Sequence, residues 1–139
     1  MIKWAGWIIT LFGTAHTLGA LTVEKAARHA GTWFGGGLWD EDLADMSPAG
    51  SAYWLSLASF GIPLALVGLT VLWLDRRGVI PPAFIAWTLG GWTVVIAVVL
   101  PFTPWPLLGL ACALLSIGAR RARRVGSADP ASASGPPRA

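Results

Sequence analysis

The chain predicts an all-α protein: a four-helix transmembrane bundle with a Trp- and Gly-rich extracytoplasmic loop between the first and second helices. Three observations carry that expectation. Of 139 residues, 55% are hydrophobic and only 12% charged, against about 25% charged in an ordinary soluble domain. Four long apolar runs divide the chain, and mean hydropathy is +0.62. The arginines gather at the ends of those runs, where basic residues mark membrane topology, so the net charge of +3 does not point to nucleic acid.

The four helices are expected at about 2–28, 48–75, 82–100 and 105–121, forming one transmembrane domain over 1–124. About 20 apolar residues cross about 30 Å of hydrocarbon, which the first three runs supply. The fourth run, about 15 residues or roughly 22 Å, spans only if Arg120 and Arg121 reach outward and the bilayer thins. Leu18-Gly19-Ala20 is a poor cleavage site, so the first helix is expected to be retained. Ser47-Pro48 reads as an N-cap followed by proline in the first turn, and Pro81-Pro82 as a second such start. Pro63 removes a hydrogen bond to the Ser59 carbonyl and predicts a kink. The tail, 125–139, is small, polar and Pro-rich, and is expected to be a disordered cytoplasmic extension.

Lys3, Arg76, Arg77, Arg120, Arg121, Arg123 and Arg124 fall on one side after four crossings. The positive-inside rule then places both termini in the cytoplasm and 23–50 outside a multi-pass plasma-membrane protein. In lipid, helices associate by close backbone approach and interhelical hydrogen bonds rather than by apolar burial. Small residues recur at steps of three and four on every helix. They are Gly6, Thr10, Gly13, Thr17 and Ala20, then Ala58, Gly61, Ala65 and Gly68. The third helix has Ala83, Ala86, Gly90, Thr93 and Ala97, and the fourth Gly109, Ala113 and Ser116. Such stripes are expected to be the seams, with Trp4, Ile8, Leu11 and Leu18 turned to lipid. Cys112, the one cysteine, reads as a small buried apolar residue.

His16 is the ionisable side chain in mid-span, and intramembrane ionisable groups are functional candidates. Two readings stand: a proton carrier or ligand contact at a cavity, or a neutral imidazole hydrogen-bonded to a neighbouring helix. Glu24 and Arg28 read as a solvated i, i+4 pair beyond the membrane, with Glu24 as a general acid the alternative. Trp33-Phe34-Gly35-Gly36-Gly37-Leu38-Trp39 reads as an interfacial or re-entrant loop, either a lid over a lipophilic pocket or a passive anchor. Asp40, Glu41, Asp42 and Asp45 read as a solvated acidic turn. Asp40 and Asp42 are weak metal candidates, His29 a possible extra ligand, and the calcium-loop pattern is absent. No nucleophile elbow, phosphate loop or zinc-helix motif appears, and no cofactor is expected.

GTAHTLGAL in the first helix, TWFGGGLW in the loop and YWLSLASFGIPLALVGL in the second helix together resemble a known family. It comprises small four-helix bacterial membrane proteins, frequent in actinomycetes, that carry a domain of unknown function. The resemblance covers roughly 1–124. It implies a membrane location, no particular activity, and His16, the loop 33–39, Ser59 and Pro63 as the positions to test first.

Three functions compete. The first is a non-catalytic binding or accessory membrane subunit, its ligand candidates being His16, His29, Trp33, Phe34, Trp39, Ser59 and Trp87. Its partners would be the bilayer, a lipophilic small molecule, and a membrane protein or a second copy. The second is an enzyme acting on an isoprenoid-like substrate, with His16 and Glu24 handling protons and Trp faces stabilising cations. The third is a small multidrug-type exporter, but the membrane-embedded Glu of such proteins is missing from the first helix. The absence of a recognisable catalytic constellation favours the first.

Overall fold

The computed structural model describes residues 1–100 and 104–127, with side chains up to Val125. Its regular structure is α1 (Ile2–Thr22), a 3₁₀ turn (Ala26–His29), α2 (Ala30–Phe34), α3 (Pro48–Ser56), α4 (Gly61–Arg76), α5 (Ala83–Val99) and α6 (Trp105–Ser127). No strand occurs among the described residues. Contacts divide the chain into two compact units, Trp7–Thr70 and a second made of Met1–Gly6 with the chain from Val71 onward.

In the Trp7–Thr70 unit, α1 meets α4 backbone to backbone. A Cβ on Gly13 would lie 2.6 Å from the Ala65 nitrogen and collide with the Gly61 carbonyl oxygen. A Cβ on Gly61 would strike the Thr17 hydroxyl. All five stripe positions of α1 are buried, while Trp4, Leu11 and Leu18 are exposed.

Both expected long helices in this part of the chain are broken. The first was expected to run to 28 but ends at Thr22, whose hydroxyl donates back to the Leu18 carbonyl at 2.6 Å. Val23 and Glu24 both bond to the Gly19 carbonyl, and Lys25 takes the left-handed conformation at φ 60°. The axis turns by 60° between Ile2–Thr22 and Ala26–Phe34. The expected i, i+4 pairing of Glu24 with Arg28 loses its helical spacing; Arg28 Nε instead donates to His29 Nε2 at 3.0 Å.

The second helix was expected whole from 48 to 75 and opens at 57–60 between α3 and α4. Pro63 has no N–H for the Ser59 carbonyl, and its ring crowds that carbonyl. The ladder reopens just upstream, with Ala58 N bonding five residues back to Tyr53 O and Leu64 N resuming at Phe60 O. The start follows the expected form. Ser47 is extended, its Oγ accepts from Gly50 N at 3.1 Å, and Pro48 opens the helix. At its far end α4 closes with Gly78 at φ 67° and Val79 N bonded to Leu74 O, the left-handed stop that favours glycine.

In the second unit Ala5, Val71, Ala86 and Leu115 form the core. Pro82 is the N-cap of α5, one position before the first-turn place expected for it, and α6 packs along α5. The seam of α6 is Leu108, Ala111, Cys112, Leu115 and Ala119; its expected stripe of Gly109, Ala113 and Ser116 lies off that line. The reason is complementarity. α5 faces that line with Ala86, Gly90 and Thr93, and α6 sets Leu108 and Leu115 among the smaller Ala111, Cys112 and Ala119; a Cβ on Gly90 would meet Cys112 at 4.0 Å, an ordinary contact. Gly118 lies against Met1 and Ile2, where a Cβ would come within 2.9 Å of Ile2 Cγ1. α6 runs to Ser127, six residues beyond the expected 121, taking Arg120–Arg124 into the helix. Residues 125–127 of the expected tail are thus helical; 128–139 and the link at 101–103 lie outside the described residues.

Among the described residues, one helix is long and apolar enough by length and composition to cross a membrane, Pro48–Arg76 read across its break. A second qualifies if Ile2–Thr22 and Ala26–Phe34 count as one bent span, and apolar α5 is shorter at 17 residues. Among the described residues the buried polar side chains are the hydroxyls of Thr10, Thr17, Ser56 and Thr93, and many large Trp, Leu, Val and Phe side chains are exposed.

Candidate functional site

The break between α3 and α4 turns Ser59 towards α1, where His16 Nε2 lies 3.1 Å from Ser59 Oγ. The Ser59 hydroxyl already donates to the Ser56 carbonyl at 2.8 Å. Its oxygen is therefore the acceptor, and Nε2–H of His16 the donor. A neutral imidazole in that tautomer keeps its lone pair on Nδ1. The ring also stacks on Phe60, with centroids 4.1 Å apart and planes inclined by 28°. Next along α1, Thr17 Oγ1 is buried without a hydrogen-bond partner, at 8% exposure. The crossing thus collects an imidazole, two serine hydroxyls and an orphan threonine hydroxyl at the point where the helix opens.

A second feature of the same unit is the loop after α2. Gly35 N bonds to Gly31 O and Gly37 N to Thr32 O, and Gly36 carries φ 80°. That pattern ends the helix through a left-handed glycine and folds Trp39 over Gly36. Trp33 Nε1 donates to the Ala49 carbonyl at 2.9 Å and packs edge-on to Tyr53. With Trp33 tying the loop to α3, Phe34 and Trp39 remain 85% and 88% exposed.

Glu41 has a role that was not legible as a solvated acid. Its Oε1 accepts from Ser47 N at 2.6 Å and its Oε2 from the Ser47 hydroxyl at 3.2 Å. A carboxylate over the first turn of a helix is where the macrodipole favours it. Asp42 Oδ1 accepts from Ala44 N. Among the described residues, no three of His, Cys, Asp and Glu are grouped to hold a metal ion.

The remaining candidates are dispersed. Glu24 is exposed past the end of α1; Thr22 already lies six residues beyond His16, about 9 Å along a helix. His29 is bonded to Arg28, Asp40 is exposed, and Trp87 lies on α5 in the other unit. Sequence reasoning missed Phe60 and Glu41. The serine pair three apart, Ser56 and Ser59, just before Pro63 was the available signal for the first.

These features define an all-helical protein with an apolar exterior and a histidine–serine contact at an opened helix. The chain belongs to the family described as "Family of unknown function (DUF6463)", whose model matches residues 1–123 of the 139. No curated protein and no solved structure matches it.

Proposed function

We propose that the chain is a small polytopic membrane protein, crossing four times as a bundle with both termini cytoplasmic. On this reading it is a non-catalytic binding subunit for a lipophilic ligand at the outer end, where 23–50 lies. One observation carries the membrane reading: large apolar side chains face outward, while the buried polar groups are helix hydroxyls. A water-soluble monomer rarely exposes so many large apolar side chains together. α1, at 21 residues, is about 31 Å long and reaches across hydrocarbon. The exposed Phe34 and Trp39, held on a loop tied down by Trp33, are the surface such a ligand would meet.

The test is purification from membranes into lipid nanodiscs, followed by native mass spectrometry for co-purified apolar molecules. A bound species lost from a Phe34→Ser, Trp39→Ser variant supports the reading; a chain that stays soluble and monomeric without detergent overturns it. A second reading draws on the Nδ1 lone pair of His16, which would accept a proton from an isoprenoid-like substrate. Turnover by the purified protein that vanishes in His16→Ala would replace the binding reading with that one.

A further inference from the structure

A cleft of about 220 Å³ opens between the start of α5 and the basic end of α6. Ser116, Arg120 and Arg123 line one wall at steps of four and three, which puts them on one helix face. Trp87 and Leu115 line its apolar part. Pro82 lines the cleft at the N-terminus of the 17-residue α5, which no side chain caps. Arg120 and Arg123 are the charged residues of the cleft's lining, which holds no Asp or Glu. The cleft is therefore cationic at one end and apolar at the other, a division that matches one amphiphile carrying a phosphate above acyl chains.

We propose that this cleft binds an anionic phospholipid, its phosphate held by Arg120, Arg123 and the Ser116 hydroxyl, its chains running past Trp87. The proposal rests on the membrane reading above and adds a lipid preference on the arginine-bearing side. Basic pockets between spanning helices are suited to anionic headgroups, each arginine near the surface adding to the attraction. Arg121 and Arg124 sit on the same turns outside the cleft and serve as a control for diffuse charge.

The full chain is placed in phosphatidylcholine nanodiscs, phosphatidylglycerol of matched chains is titrated in, and retention is read by native mass spectrometry beside thermal unfolding. Retained phosphatidylglycerol should exceed phosphatidylcholine by roughly tenfold. That preference should collapse in Arg120→Gln, Arg123→Gln and persist in Arg121→Gln, Arg124→Gln. Equal loss in both double variants, or no preference in a folded, embedded protein, overturns the site. Stabilisation by millimolar inorganic phosphate alone overturns the lipid as the occupant. Failure to enter phosphatidylcholine nanodiscs at all removes the membrane reading itself, an outcome distinct from embedding without preference.

Discussion

Gly13 and Gly61 set how near α1 and α4 approach, because each lacks the one carbon that the other helix's backbone would meet. Gly13→Ala or Gly61→Ala should lower stability by about 1–3 kcal/mol through overpacking. Gly90→Ala, whose new carbon meets Cys112 at van der Waals distance, should shift it by less than about 0.5 kcal/mol. Unfolding in a fixed detergent, followed by tryptophan fluorescence, compares the three. At the neighbouring crossing, Ser59→Ala strips His16 Nε2 of its acceptor and Ser56 O of a donor. The coupling in a His16/Ser59 double-mutant cycle should be about 0.6 kcal/mol, the average for such bonds in membrane helices. A coupling near zero would mean that the imidazole is held by Phe60 alone.

Two of the helices owe their ends to polar side chains acting on the backbone. Ser47 and Glu41 together cap α3, so Glu41→Ala should cost about 1 kcal/mol. Faster amide exchange at Ser47, whose N–H loses its acceptor, and at Gly50 behind it would report the loss. Pro63→Ala restores an N–H beneath Ser59; α3 and α4 should then fuse, with slower exchange at residues 57–60 and weaker His16–Ser59 coupling. The proline effect, the Ser47 cap and the small stripe of α1 were readable from sequence because each acts through neighbours three or four residues away. The stop at Thr22 was not. It depends on a hydroxyl folding back to Leu18 and on Lys25 adopting a left-handed conformation, which nothing in its residue type demands. The orientation of α6 was hidden for another reason. Small residues lie on more than one line of α6, and the buried line, Leu108, Ala111, Cys112, Leu115 and Ala119, mixes them with two leucines that a search for small residues passes over.

For the molecule as a whole, the proposed topology makes a prediction that does not depend on any one contact. In a Cys112→Ala background, cysteines placed at Asp40 and Asp45 should react with an impermeant maleimide in intact cells. Cysteines at Lys3, Arg77 and Arg124 should react only after the cells are opened. Labelling of position 77 from outside would reverse or abolish the arrangement. An apolar composition spread along the chain also explains why the all-helical class was legible early while the candidate site was not. Composition and hydropathy average over the whole chain, but the His16–Ser59 contact depends on one proline dislocating a helix by a few residues.

Glu41 ties the segment after α2 to the N-terminus of α3 through both of its carboxylate oxygens. Anything that drags that segment aside must pull the carboxylate from the peptide dipoles it neutralises. Displacing the segment would therefore loosen the opening coil of the rod beneath it.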